Sequence, residues 1–203
     1  MKGLILKDLL NLRKQGKVIL LFVGFYFILG IINQNGDSFG GVVALLFAML
    51  AVTALAYDER AGWDKYALTM PVSRRDLVVS KYLLGVLLSF AGFLLNVVFQ
   101  LAFARAELGD GLLISLALFG VGLFFLALML PINFKWGVEK GRILMMIVLF
   151  GPTILITLLP RMGVAMPDET FLQSLMYILP VAVIVLFAIS VWISLRIYEK
   201  KEF

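Results

Sequence analysis

The side chains that usually carry chemistry are largely missing from this 203-residue chain. It has no cysteine and no histidine, so disulfides, thiolate nucleophiles, the commonest metal ligands and imidazole bases are excluded. Hydrolysis or redox chemistry would have to run on Asp, Glu, Lys or Ser. Ser89, Ser115, Ser190 and Ser194 have no visible base to activate them. Ser190 and Ser194 stand four apart, as do Thr153 and Thr157, and hydroxyls at that spacing serve helix–helix or side chain–backbone hydrogen bonds. No G-x-x-x-x-G-K-[ST] loop occurs, so the chain cannot by itself cradle a nucleotide in that way. An intramembrane enzyme lacks its reacting group. The chain reads as no enzyme, with no metal site and no cofactor of its own.

What the residues can do is bind. Nine charges, Asp58, Glu59, Arg60, Asp64, Lys65, Arg74, Arg75, Asp76 and Lys81, crowd into 57–83 between two long apolar runs. Charges at that density cannot lie in hydrocarbon, so the stretch is aqueous and close to a membrane face. Residues 58–66 suit about two helical turns, with Asp58 and Glu59 near the end where the helix dipole favours acids. Trp63 and Tyr66, three apart, would share a face and offer an aromatic knob to a partner. The plainer reading is a solvated loop with Trp63 anchored at the bilayer surface. Pro71 stops that helix, Ser73 can cap the next, and Asp76 falls at its third position, a variant of the capping box. Within the apolar runs, Asn96 and Gln100 share a helix face, either as glue between helices or on a substrate route.

These groups must be positioned by membrane helices. The chain is 62% hydrophobic, beyond the range of soluble domains, and six apolar runs cover about 18–32, 39–56, 82–103, 112–130, 143–159 and 177–198. A crossing needs roughly 20 apolar residues, which the third and sixth runs supply comfortably. The first must recruit its flanks, and Pro152 should kink or break the fifth. We expect an all-α integral membrane protein, one domain over 1–203, with six transmembrane helices. Before them, 1–17 reads as an amphipathic helix in the interface, gathering Leu4, Ile5, Leu6, Leu9, Leu10 and Leu12 mostly on one side, or else as a basic extension of the first span. The charged opening is too long for a cleaved signal peptide.

Orientation follows from the basic residues. Of the 18 lysines and arginines, only Arg105 and Arg161 fall in the loops opposite the N-terminus. The positive-inside rule then places both termini and the loops 57–81 and 131–142 in the cytoplasm. The net charge of +5 reflects this orientation rather than nucleic-acid binding. No acid falls at mid-membrane, which argues against an ion-coupled transporter. Gly85, Gly92, Gly120 and Gly122 permit close helix approach.

The ordered set Asp58-Glu59, Gly62-Trp63, Tyr66, Pro71-Val72-Ser73-Arg74 and Ser80-Lys81-Tyr82-Leu83 resembles the first cytoplasmic loop of ABC-2 type permeases. The start KGLILKDLLNLRKQ is similar to their N-terminal interfacial helix, and span count, termini and length agree over essentially the whole chain. Within the family the likeness is greatest to small bacterial permeases of the phenol-soluble modulin exporter type. The resemblance implies a half-transporter in the bacterial plasma membrane. It would pair with an identical or different permease and dock a cytosolic ATPase subunit that carries the ATP and Mg2+. By position, Asp58, Glu59, Arg60, Trp63, Asp64, Lys65 and Tyr66 would form the main coupling helix. Lys135, Trp136, Glu139 and Lys140 would form a lesser contact. Larger members carry an extracellular subdomain between the last two spans, where only 160–176 is available here. The expected function is ATP-driven export of amphipathic or cytotoxic peptides or other hydrophobic cargo. The alternative is a membrane sensor or scaffold that recruits a cytosolic partner through 57–81.

Overall fold

Local chemistry sets the helix starts. Ser73 lies in extended conformation, its hydroxyl accepts from the Asp76 N–H, and the Asp76 carboxylate accepts from the Ser73 N–H, so the expected capping box is complete. In the computed structural model, which describes residues 2–33, 36–103, 107–158 and 169–201, every regular element is an α-helix. They are α1 (Lys2–Arg13), α2 (Gly16–Asn33), α3 (Gly36–Arg60), α4 (Trp63–Ala67), α5 (Arg74–Ala102), α6 (Leu108–Trp136), α7 (Val138–Leu158) and α8 (Glu169–Glu199). Five of them, α2, α3, α5, α6 and α8, contain stretches long and apolar enough to cross a membrane. The fifth apolar run coincides with α7, 21 residues long and outside those five. Of the kink or break expected at position 152, the break is not found: that helix continues through it. The short segment after α7, 159–168, lies outside the described residues, and α8 already begins at Glu169.

Helices α3, α5 and α6 form the centre, α8 packs on α5 and α6, and α2 and α7 sit outside against α3 and α6. Close approach of α3 to α5 depends on small residues. A Cβ at Gly40 would overlap the Asn96 amide, and one at Gly36 the Gln100 amide. Gly92 and Gly122 likewise lie against α3, whereas Gly120 faces no neighbour. Gly40→Val should therefore lower stability by about 1–3 kcal/mol through overpacking, read as an earlier melting transition in detergent.

Two expectations about loops need correction. The segment 131–142 is hardly a loop: α6 runs through Pro131 to Trp136, one residue, Gly137, turns the chain, and α7 starts at Val138. Proline survives in α6 because its missing N–H frees the carbonyl four residues back, and that carbonyl, Ala127, accepts a hydrogen bond from the Ser190 hydroxyl at 2.6 Å. With Ser190 donating there, the Tyr82 hydroxyl, 2.6 Å away, must donate to Ser190 and accept from Ser194 at 2.8 Å. Ser190 and Ser194 thus bind helix to helix, as their spacing suggested. Ser190→Ala should cost about 1–3 kcal/mol by orphaning the Ala127 carbonyl. Adding Pro131→Ala, which restores a backbone donor, should recover part of that loss. Equal melting temperatures for the single and double variants would contradict this account.

The second correction concerns 57–81. Asp58 and Glu59 do not open a new helix; they occupy the last turn of α3, which continues to Arg60. The chain then breaks at Gly62, whose φ of 60° lies in the left-handed region, and α4 is a separate single turn. The same end of the bundle holds α1, the C-terminus of α6 and the C-terminus of α8. Arg74 donates there to the carbonyls of Glu199 and Lys201 at 2.6 and 3.0 Å. Helix α1 is also less one-sided than expected. Leu4, Asp8 and Leu12 point inward, while Leu6, Leu9 and Leu10 are exposed.

Candidate functional site

An acid on the inward stripe of α1 needs an explanation, and the charged end supplies one. Asp8 is fully buried, and so, nearly, are Asp58 of α3 and Lys81 of α5. Lys81 Nζ lies 2.7 Å from Asp8 and 2.6 Å from Asp58; Lys7 Nζ lies 3.0 Å from Asp8 and 2.6 Å from Asp58. The four side chains close a neutral ring in which every charge touches two of opposite sign. Buried charges persist only when paired in this way. Asp58 and Glu59 sit at the dipole-negative end of α3, where acids are disfavoured; the two lysines offset that for Asp58. The ring also ties α1 to α3 and α5.

Trp63 roofs this ring rather than projecting from it. Its indole lies 4.3 Å from Lys7 Nζ, a cation–π contact, and it is packed against the core around Leu55, Leu77 and Phe134. Tyr66 is the exposed aromatic, its ring centroid 5.7 Å from that of Trp63. The pair does share a face, as its spacing suggested, but Trp63 is partly buried against the core while Tyr66 is left exposed. Among the described residues the Trp63 indole N–H has no acceptor, and it borders a small cavity lined by Lys7, Asp8, Asp58, Asp64 and Lys81.

Glu59 meets a helix dipole, though not that of its own helix. Its carboxylate accepts from the Val138 N–H at 2.6 Å and so caps α7. The adjacent Gly137, at φ 78°, leaves no room for a Cβ beside that carboxylate. The two charged segments recognised separately in the sequence are thus joined into one surface. Arg60, Lys65, Tyr66, Lys135, Trp136, Glu139 and Lys140 are exposed on it, Asp64 is half-buried, and Lys135 lies over the Trp136 ring at 4.9 Å. Of the expected docking residues, Asp58 alone is buried outright. Lys7, Asp8 and Lys81 complete the site and were not picked out by spacing. The available signal was an acid at the centre of the Leu4–Asp8–Leu12 stripe.

Asn96 and Gln100 lie apart from this end, both buried. Asn96 donates to the Ser115 hydroxyl of α6 at 3.0 Å, and Gln100 donates to Asp37 of α3 at 3.0 Å. Each amide faces protein and clamps neighbouring helices.

Several apolar helices pack through internal amides, hydroxyls and glycines, and a charged junction closes one end; this defines a multi-pass membrane protein. The profile described as "ABC-2 family transporter protein" matches residues 3–199, and the chain belongs to that family. It is accordingly a permease subunit of an ABC exporter, and membership implies a partner ATPase and a lipid bilayer. No curated protein and no solved structure gives a significant match.

Proposed function

We propose that the joined end of α3, α4, α6 and α7 is where the ATPase subunit docks, and that the buried ring carries its movement into the spans. The Glu59–Val138 hydrogen bond carries this reading, because it makes one rigid surface from two segments that a partner would otherwise have to grip separately. The exposed aromatics Tyr66 and Trp136, with Arg60, Lys65, Lys135, Glu139 and Lys140 around them, have the composition of an interface centre and its polar rim. A push on α4 is borne by Trp63, then by Lys7, and so by the helices that the ring ties together. ATP binding that favours one arrangement of the two ATPase chains would select the matching arrangement of the helices.

In this reading the whole chain is one permease domain with six spans, α7 being the sixth. α1 rests in the inner interface, and both termini face the cytoplasm of a bacterial cell. Two permeases pair. The cargo is amphipathic or lipid-soluble, as for the phenol-soluble modulin exporters the sequence resembles. We assign Asn96 and Gln100 to clamping helices rather than to the cargo route, since each is buried and donates to a neighbouring helix, Asn96 to Ser115 and Gln100 to Asp37. No observation favours the scaffold reading.

Replacing Tyr66 and Trp136 together by Ala removes two exposed anchors without opening the core. Co-purification of the ATPase should fall on the order of tenfold or more, with membrane insertion and melting temperature unchanged. Undiminished association would overturn the docking role. Trp63→Ala should weaken association as well, but with a lower melting temperature, because its ring is packed inward.

A further inference from the structure

We infer that a cleft between the start of α5 and the last turns of α8 binds the headgroup of an anionic phospholipid, whose acyl chains lie along α8. The cleft is lined by Arg75, Trp192, Leu195, Arg196, Glu199 and Lys200, three cations against one carboxylate. That carboxylate is engaged by Arg75 at 3.0 Å. Neither Arg196 nor Lys200 has a carboxylate partner among the described residues, and Arg196 stacks over the Trp192 ring at 4.6 Å. The excess positive charge faces outward and lacks an internal use, unlike that of Lys7 and Lys81.

The spacing along α8 says what would bring the negative charge. Val181, Val185, Ile189 and Trp192 are all exposed and, at about 100° per residue, share one stripe with Arg196 and Lys200. From Val181 to Trp192 that stripe is roughly 17 Å long at 1.5 Å per residue, close to half of a hydrocarbon core of about 30 Å. One stripe therefore presents apolar side chains over the depth of a leaflet, then an amphipathic indole at headgroup level, then two cations beyond it. This is the order of parts in one phospholipid, and a phosphate gives the Arg196 fork a planar pair of acceptors. A second copy of the chain is the poorer occupant: across a two-fold axis the same cations would meet each other. Anionic lipid is also what the cytoplasmic leaflet supplies to basic clusters beside a span.

The test is lipid retention by the purified transporter, titrated with phosphatidylglycerol and with phosphatidylcholine and read by native mass spectrometry. The parent should hold phosphatidylglycerol in preference. Arg196→Gln with Lys200→Gln should lower phosphatidylglycerol retention on the order of tenfold while leaving phosphatidylcholine unchanged. Arg196→Lys with Lys200→Arg, which keeps the charge, should retain most of the binding. Four results would overturn the inference: equal retention of the two lipids by the parent, proportional loss of both in the Gln variant, displacement of phosphatidylglycerol by free glycerol phosphate, or dissociation of permease copies with lipid retention unaltered. Both substituted side chains are exposed on the protein surface, so the Gln variant should melt close to the parent in lipid-free detergent.

Discussion

Asp58→Asn should destabilise the protein by about 3–5 kcal/mol, the usual result of removing one partner from a buried ion pair. The substitution hardly changes the shape of the side chain, so the loss reports charge. It leaves Lys7 and Lys81 facing Asp8 alone, with one positive charge too many in a place where water scarcely reaches. The sign of the compensation is equally specific. Lys7→Met in the Asp58→Asn background returns the cluster to neutrality around the Lys81–Asp8 pair and should recover a large part of the stability. It will not recover all of it, because Met forfeits the cation–π contact with Trp63. The exposed Arg75–Glu199 pair, of similar length, serves as the control: Arg75→Ala should change stability by about 1 kcal/mol or less. Melting curves of purified protein in one detergent decide the matter. A single variant as stable as the parent, or a double variant no better than the single, would remove the ring from the account.

The second large effect is at Gly137. Its φ of 78° and ψ of 166° lie where glycine is nearly alone in being tolerated. Any Cβ there would also run into the Glu59 carboxylate. Gly137→Ala should therefore carry about 1–3 kcal/mol of backbone strain and, by displacing Glu59, a further loss of about 1 kcal/mol from the uncapped start of α7. If the two segments act as one docking surface, ATPase association should fall with stability. Glu59→Gln keeps an acceptor for the Val138 N–H but loses the charge that suits a helix start, and should be much milder. Gly62 makes a clean comparison, because its φ of 60° and ψ of 26° are ordinary left-handed values with open space around the position. Asn fits that region, so Gly62→Asn should be close to neutral. Similar losses at Gly62 and Gly137 would mean that chain reversal alone, and not the seat of Glu59, is what matters.

What could be read from the sequence was what is settled over a few residues or a single long run. The Ser73–Asp76 box was legible because both partners belong to one turn, and the main apolar helices because hydrophobic length marks them. Helix ends were not legible. The sequence places a loop from position 131, and the Ser190 hydroxyl, 59 positions later and on another helix, meets the carbonyl that Pro131 frees where α6 continues past it. Asp58 reads as solvated because charges in a loop usually are; its partners Lys7 and Lys81 come from α1 and α5, and Lys7 is 51 residues away. Trp63 and Tyr66 share a face as their spacing predicts, but that Trp63 would be pressed against the core around Leu55, Leu77 and Phe134, leaving Tyr66 as the exposed ring, depends on where the left-handed turn at Gly62 sets α4. In each case the missing information was a contact between distant segments. Periodicity cannot supply it.

The measurement that bears most directly on the proposed docking surface is site-specific photo-crosslinking in intact cells, with the photoreactive residue at Tyr66, at Trp136 or, as a control, at the exposed Leu113 near the opposite end of the bundle. Covalent adducts with the ATPase subunit from the first two positions and none from the third are the expected result. No adduct from either Tyr66 or Trp136, or one from Leu113 alone, would contradict both the sidedness and the site.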